Sequence, residues 1–119
     1  MQSIRWADIP IETMSSRVTR QVVWGEHSTL ARFCFTKGTH ISAHKHDSEQ
    51  HTCVLQGVVQ VRMEGSSEIV VKAGEMLLIP AGREHEVWVV EDSVVMDFFA
   101  PPRFDWRNGA HLYLTGDRE

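Results

Sequence analysis

Potential metal ligands are concentrated in one short stretch of the chain, 38–57, which reads GTHISAHKHDSEQHTCVLQG. Side chains two residues apart on an extended strand point to the same face, so His44 and His46 are expected to project together. Gln50, four residues further on, can return to that face after a short turn. Because neutral imidazole nitrogens bind borderline metals well, this spacing indicates a site for one divalent metal.

A third imidazole ligand is available at His85, which begins the run HEVWVV. The other four histidines are expected to be exposed or hydrogen-bonded: His27, His40, His51 and His111. His51 belongs to this group because its parity along the strand is opposite to that of Gln50, which turns it to the other face.

A second candidate cluster lies in the stretch SVVMDFFAPPRFDW. Along a strand Val95, Asp97 and Phe99 share one face, and if that face is the interior, a carboxylate and a phenyl ring point toward the metal. A buried carboxylate is costly unless it has a partner or a task. The apolar pattern by itself favours the opposite orientation, in which Asp97 faces solvent and the alternate residues fill the core: Val94, Met96 and Phe98.

The segment after this run carries a cation and an indole. Arg103 follows Pro101 and Pro102, and it is either an ordinary surface arginine or a binding group for an anion. A planar guanidinium binds a carboxylate through a forked, charge-assisted pair of hydrogen bonds. Trp106 is expected to seal the mouth of the fold, the alternative being a flat wall for a ligand.

Eight short runs rich in valine, isoleucine and phenylalanine are available to position these groups: 18–24, 28–36, 52–56, 58–63, 67–73, 76–80, 85–90 and 93–99. Glycines separate them at intervals of roughly eight to twelve residues, as expected of an all-β sandwich or barrel. We therefore expect a single antiparallel β domain over residues 1–119. Its core should occupy about 18–100, with irregular ends at 1–17 and 103–119.

The composition limits the functional classes. The chain has 119 residues, 42% of them hydrophobic, and a net charge of −4, which gives no basic stripe for a nucleic-acid backbone. The first sixteen residues lack the apolar run of a signal peptide, and no apolar stretch is long enough to span a bilayer, so a cytoplasmic protein without a membrane partner is expected. Cys34 and Cys53 lie in strand-like runs without metal-binding spacing and are expected to be buried free thiols.

Two spaced motifs connect these observations to a known family. The first is Gly38, His44, His46, Gln50 and Gly57 with intervals of five, one, three and six residues; the second is Gly74, Pro80, Gly82 and His85 with intervals of five, one and two. This arrangement resembles the cupins. The resemblance implies a double-stranded β-helix (jelly-roll) barrel whose two motifs together bind one divalent metal through His44, His46, Gln50 and His85. The candidates for the ion are Ni, Fe, Mn, Zn and Co, between which the ligand set does not choose.

The chain departs from the cupin pattern at two positions. Gln50 replaces the usual glutamate ligand, and Val89 replaces an asparagine that often closes the second motif. Glu49 becomes the ligand instead if the strand register differs by one residue. Because glutamine is neutral, a site of three histidines and one glutamine leaves the metal charge uncompensated and favours an anionic substrate. Four protein ligands also leave one or two coordination positions open for it.

The distal segment is similar to that of KdgF-type cupins of pectin and alginate breakdown. The resemblance rests on Asp97, Phe99 and Arg103 in an FxPPRxDW context. It implies that these three residues act with the metal to open the ring of a 4,5-unsaturated monouronate, an anionic sugar acid, and to release the linear keto form. A metal-dependent cupin dioxygenase and a non-catalytic binding cupin are the alternatives. Apolar residues in the irregular ends and the pairing habit of small cupins predict a homodimer.

Overall fold

The computed structural model describes residues 2–108, and nearly all of its regular structure is β. Ten strands follow one another along this part of the chain: β1 (Glu12–Thr13), β2 (Val18–Trp24), β3 (Thr29–Phe35), β4 (His40–His44), β5 (Glu49–Gln56), β6 (Val58–Met63), β7 (Ile69–Lys72), β8 (Met76–Ile79), β9 (His85–Val89) and β10 (Ser93–Ala100). Two short 3₁₀ helices, Trp6–Asp8 and Phe104–Asn108, flank them. No helix among residues 2–108 is long and apolar enough to cross a membrane.

The strands form two antiparallel sheets. One has six strands in the order β1-β2-β3-β10-β5-β8, and the other has four in the order β4-β9-β6-β7. The non-sequential order is that of a jelly roll, in which the chain passes repeatedly from one sheet to the other. Their inward faces enclose a core that includes Phe33, Val59, Val61, Val95 and Phe99. The predicted all-β jelly-roll fold is confirmed.

Strand bounds differ from the prediction mainly where the sequence is polar. The runs at 18–24 and 58–63 coincide with β2 and β6, whereas β5 begins three residues earlier than the predicted run at 52–56. β4 and the two-residue β1 were not among the eight predicted runs, although strand geometry was assumed for His44 and His46. β1 lies within the amino-terminal end that was expected to be irregular, and it pairs with β2.

The register of β10 decides which of its faces is interior. Asp97 pairs with Thr52 of β5, and Phe99 pairs with Gln50, so these four side chains share the inner face. The alternate residues of β10 point outward: Val94 and Met96 are half-buried and Phe98 is exposed. The orientation with Asp97 in solvent is therefore wrong, because the neighbouring strands supply polar inward positions beside it.

The two cysteines lie on the outer face of the six-stranded sheet. Both are free, as predicted, but both are half-buried, which corrects the expectation of buried thiols. Cys34 pairs with Val94 and Cys53 with Met96, so they alternate with the inward residues of β3 and β5. Burial and the charge of Asp97 raise the pKa of the Cys53 thiol.

Candidate functional site

The ends of two adjacent strands bring the candidate histidines together. His44 is the last residue of β4 and pairs directly with His85, the first residue of β9. His46 lies two residues beyond β4, in the loop before β5. The prediction that it shares a strand with His44 is therefore wrong. The ligand atoms of the three rings all lie within 4.8 Å of one another, a spacing that can hold one metal ion.

Backbone carbonyls fix the orientation of each ring. The Nδ1 atoms lie 2.8 Å from the Ser42 oxygen for His44, 2.9 Å from the Ser48 oxygen for His46, and 2.9 Å from the Arg83 oxygen for His85. A carbonyl oxygen only accepts, so each Nδ1 donates and the lone pair of the neutral ring lies on Nε2. Metal-binding histidines are commonly oriented in this way.

Burial keeps the three rings neutral. Desolvation, helped by the nearby His85, lowers the pKa of His44 to about 3. Desolvation and the charge of Arg103 lower the pKa of His46 to about 4. The pKa of His85 is also lowered, chiefly by desolvation. All three imidazoles therefore present unprotonated nitrogen at neutral pH, which is the form that binds a metal.

Gln50 completes the group from the opposite sheet. It is buried on β5, its Oε1 lies 3.0 Å from the Nε2 of His46, and its Nε2 donates to the Thr52 hydroxyl at 2.8 Å. Glu49 is exposed and faces the other way, so the register-shifted alternative with Glu49 as a ligand is wrong.

One further observation supports the fit of the three histidines and Gln50 to a divalent metal. Within the described part of the chain, the Nε2 of His85 is buried and has no hydrogen-bond partner. Such an atom is costly unless a ligand satisfies it. A metal at this position would satisfy it together with the Nε2 atoms of His44 and His46.

Asp97 lines the same cavity as His44, Gln50 and His85. Its side chain is only 8% exposed, and its Oδ1 has no hydrogen-bond partner among residues 2–108. Burial raises the pKa of Asp97 to about 6, while polar contacts from Thr52 and Gln50 and the charge of Arg103 act in the opposite direction. A carboxyl group with a pKa near neutrality can both hold and release a proton under working conditions.

Arg103 is buried beside aromatic rings, which excludes the reading of an ordinary surface arginine. It is 1% exposed, and its guanidinium carbon lies 4.8 Å from the ring centroid of Phe99 and 4.6 Å from that of Trp106. Its backbone N–H donates to the Thr29 hydroxyl at 3.0 Å, which ties the segment after β10 to the start of β3. Trp106 is 4% exposed and packs on Phe33 and Phe99, as a sealing role requires.

One cavity connects these groups. Its lining includes polar residues from both sheets and from the segment after β10: His44, Gln50, Thr52, His85, Asp97 and Arg103. Apolar residues such as Phe33, Ile41, Val61 and Phe99 form much of the remaining wall. A separate outer cleft is lined by Lys45, His46, Phe104 and Asp105 among others. His46 therefore lies between the interior and the outside.

Sequence reasoning missed Asp105. Its carboxylate accepts two hydrogen bonds from Arg103, at 2.9 and 2.8 Å, so the Nε and Nη2 atoms of the guanidinium already contact a carboxylate. The only sequence signal for this pair is the spacing Arg-Phe-Asp, which is not specific.

His27 and His40 behave as expected: His27 is exposed beside Glu26, and His40 is half-buried against Glu86 and stacked on Trp88. His51 contacts Phe98 on the outer face, as its parity predicts. It is half-buried, however, and its Nδ1 has no hydrogen-bond partner among residues 2–108, which corrects the expectation that it is exposed or hydrogen-bonded. His111 lies outside the described residues.

Comparison with known proteins agrees with this architecture. Residues 31–100 match the family described as the cupin domain, and this match covers more than half of the chain. The protein belongs to the cupin family.

Individual relatives extend the match to most of the chain. The sequence is 29% identical over 102 residues to the pectin degradation protein KdgF of Dickeya dadantii, covering 83% of this chain and 92% of that protein. The structure of KdgF from a Halomonas species aligns with a TM-score of 0.76 at 24% identity, covering 84% and 94% of the two chains. An RmlC-like cupin from Shewanella frigidimarina aligns with a TM-score of 0.81 at 22% identity, covering 89% and 96%.

Proposed function

We propose that this cupin is a metal-dependent enzyme that opens the ring of 4,5-unsaturated monouronates and yields linear keto sugar acids, as KdgF-type cupins are expected to do. The observation that supports this most is the convergence of Asp97, Phe99 and Arg103 on the cavity that His44 and His85 also line. The similarity to a pectin degradation protein agrees with it.

His44, His46, Gln50 and His85 would hold the metal, with Ni, Fe, Mn, Zn or Co as candidates. A bound divalent ion supplies Lewis acidity to oxygens of the substrate in such a site. Because the four proposed ligands are neutral, they do not compensate the charge of a bound divalent ion, whereas Asp105 partly balances the charge of Arg103. An anionic sugar acid is the matching class of substrate.

Arg103 is the proposed partner of the substrate carboxylate. Its guanidinium carries a permanent charge in a desolvated position at the cavity wall, where charge-assisted hydrogen bonds are strong. Phe99 lies against this guanidinium and offers an apolar face to the sugar ring. Together the two residues would fix how the substrate is oriented.

Asp97 is the proposed proton carrier. Ring opening yields an enol, which must gain a proton on carbon to reach the keto form. In the metal-free protein burial raises the pKa of Asp97 to about 6, so part of the carboxyl group is protonated near neutral pH. Its buried position at the cavity wall also shields that proton from bulk water.

The decisive experiment follows the conjugated double-bond absorbance of 4,5-unsaturated galacturonate with metal-loaded protein and two variants. Arg103→Lys keeps the charge but loses the planar fork, and should lower kcat/KM by roughly tenfold to a hundredfold. Asp97→Asn keeps the shape but removes the proton carrier, and should lower kcat by at least roughly a hundredfold. Wild-type turnover by both variants would refute the proposed roles.

The same assay separates the alternatives. A dioxygenase requires a redox-active metal, so turnover of the uronate by zinc-loaded protein without oxygen consumption argues against that class. A non-catalytic binding cupin would leave the absorbance of every unsaturated uronate unchanged.

The proposal includes a homodimer in the cytoplasm. Four apolar side chains are at least 40% exposed on the outer face of the six-stranded sheet, namely Leu55, Met76, Leu78 and Phe98. β8 forms one edge of that sheet, so the apolar surface reaches an edge at which two copies can meet. The cytoplasmic location stays a prediction.

A further inference from the structure

A forked ion pair separates the outer cleft from the interior cavity. Asp105 lines the cleft, whereas Arg103 lines the cavity. The Nε of Arg103 donates to one carboxylate oxygen of Asp105 at 2.9 Å, and its Nη2 donates to the other at 2.8 Å. The Arg103 side chain is 2% exposed and that of Asp105 is 40% exposed. The carboxylate therefore approaches the guanidinium from the solvent side.

This contact restrains a side chain that would otherwise have several torsional states. The aromatic rings of Phe99 and Trp106 fix the position of the guanidinium carbon, which lies within 5 Å of both ring centroids. These distances do not by themselves fix the direction in which the N–H groups point. Two parallel hydrogen bonds to one carboxylate do constrain that direction, since a forked pair has only one alignment.

Asp105 is suited to this task because it stays charged. Burial pushes its pKa upward, but the hydrogen bonds and charge of Arg103 bring the pKa below the usual value. The pair therefore remains ionised at neutral pH. The 3₁₀ helix Phe104–Asn108 that carries Asp105 is itself held by the Trp106 side chain in the core.

We propose that Asp105 is a positioning residue, which holds the Arg103 guanidinium in the orientation that receives the carboxylate of a sugar-acid substrate; this rests on the proposed function. Asp105 does not touch the substrate. It acts through Arg103, so its loss should weaken substrate binding much more than it slows the proton transfer assigned to Asp97.

The chain contains a matched control for the structural effect of such a pair. Arg20 is buried like Arg103, and its Nε and Nη2 donate to Glu12 at 3.2 and 3.0 Å. Glu12 is 47% exposed, and the Arg20 guanidinium lies 4.5 Å from the centroid of Trp106. Unlike Arg103, Arg20 is not among the residues that line the cavity.

The test compares Asp105→Asn, Asp105→Glu and Glu12→Gln with wild-type, metal-loaded protein. Steady-state kinetics with 4,5-unsaturated galacturonate, melting temperature and metal content are measured for each. Asp105→Asn should raise KM roughly tenfold and change kcat by less than about threefold, because misorientation mainly weakens binding. Glu12→Gln should lower the melting temperature to a similar extent and leave KM and kcat unchanged.

Asp105→Glu keeps the carboxylate on a longer side chain and should fall between wild type and Asp105→Asn in KM. If Asp105→Asn does not fold, Asp105→Glu provides the test. A folded Asp105→Glu protein that has lost the forked hydrogen bonds to Arg103 but keeps the wild-type KM would overturn the inference. A structure of that variant or a double-mutant cycle with Arg103→Lys establishes whether the fork is lost.

Three results contradict the inference in distinguishable ways. An unchanged KM in Asp105→Asn means that Arg103 needs no positioning. A lowered KM means that Asp105 competes with the substrate carboxylate for the guanidinium. Equal kinetic losses in Asp105→Asn and Glu12→Gln mean a general loosening around Trp106. If wild type turns over no unsaturated uronate, or if Arg103→Lys leaves KM and kcat unchanged, the proposed function itself fails.

Discussion

The nitrogen atoms of the three clustered histidines differ in what they contact. Each Nδ1 donates to a backbone carbonyl, and the ligand atoms of the rings meet within 4.8 Å. Changing His44 and His46 together to alanine should therefore abolish binding of a divalent metal, because a single imidazole and an amide bind too weakly. Metal content after dialysis measures this. His27→Ala, at an exposed position, is the control and should retain full occupancy.

Retention of the metal by the double variant at wild-type occupancy would contradict the proposed site. It would mean that other groups hold the ion, and the orphaned Nε2 of His85 would then need another partner.

Asp97 gives the metal-free protein a defined pH dependence. Burial raises its folded-state pKa to about 6, above the unfolded value of about 3.9, so the folded state binds this proton more tightly. Ionisation of Asp97 therefore opposes folding. The penalty is absent below about pH 4, develops between about pH 4 and 6, and is fully present above that range, at about 2–3 kcal/mol.

Asp97→Asn removes this ionisation. In chelator-treated protein the variant should unfold at higher urea concentration than wild type at pH 8, and the difference should shrink toward pH 4. Urea midpoints at several pH values measure the effect. A difference that is independent of pH would mean that Asp97 does not change its charge in this range.

At the scale of strands, local signals were sufficient where apolar residues alternate between glycines. The runs that became β2 and β6 are rich in valine and end in turns, so their bounds could be predicted. β4 could not, because Ile41 is its one large aliphatic residue and its strand conformation depends on pairing with β9. In the candidate site, likewise, the histidines could be predicted because their spacing within the two motifs is a local signal.

The interior face of β10 could not be derived from its own pattern. Val94, Met96 and Phe98 form the more apolar face, so the pattern alone favours the wrong orientation. The neighbouring strands decide the face instead, because β5 places Thr52 opposite Asp97. The contact of Asp105 with Arg103 was also unpredictable, because it depends on the backbone of a 3₁₀ helix outside the strands.

The turn between β5 and β6 requires glycine for two reasons. Gly57 has a φ of 86°, and a Cβ built on it would lie 2.3 Å from the backbone oxygen of Asp92. Gly57→Ala should therefore destabilise the protein by about 3–5 kcal/mol, from left-handed backbone strain and overpacking together. Thermal or urea unfolding measures this. Gly38→Ala, with a φ of 88° and open space around its Cβ, should cost only about 1–2 kcal/mol.

Equal losses in the two glycine variants would show that backbone conformation alone accounts for Gly57. The close approach to Asp92 and to Ser93, the first residue of β10, would then have no energetic role.

In the molecule as a whole, the two sheets differ in what their outer faces carry. The four-stranded sheet presents an ionic network in which Glu86 contacts both His40 and Arg62, and its exposed apolar residues Ile69 and Val70 lie on the edge strand β7. The six-stranded sheet presents Leu55, Met76 and Leu78 toward its β8 edge. Contiguous exposed apolar groups usually mark a surface that another molecule covers. A second copy of the chain, related by two-fold symmetry, is the occupant that the homodimer proposal requires.

The dimer can be tested by placing a charge in this surface. Sedimentation at micromolar concentration should give the mass of two chains for wild type and of one chain for Leu78→Asp, because burying an unpaired carboxylate at an interface costs several kcal/mol. Val70→Asp is the matched control: Val70 is 48% exposed, close to the 49% of Leu78, but lies on β7 at the edge of the other sheet. It should leave the mass unchanged. A one-chain mass for wild type would refute the homodimer. If Leu78→Asp remains a dimer and Val70→Asp becomes a monomer, the interface lies on the four-stranded sheet instead.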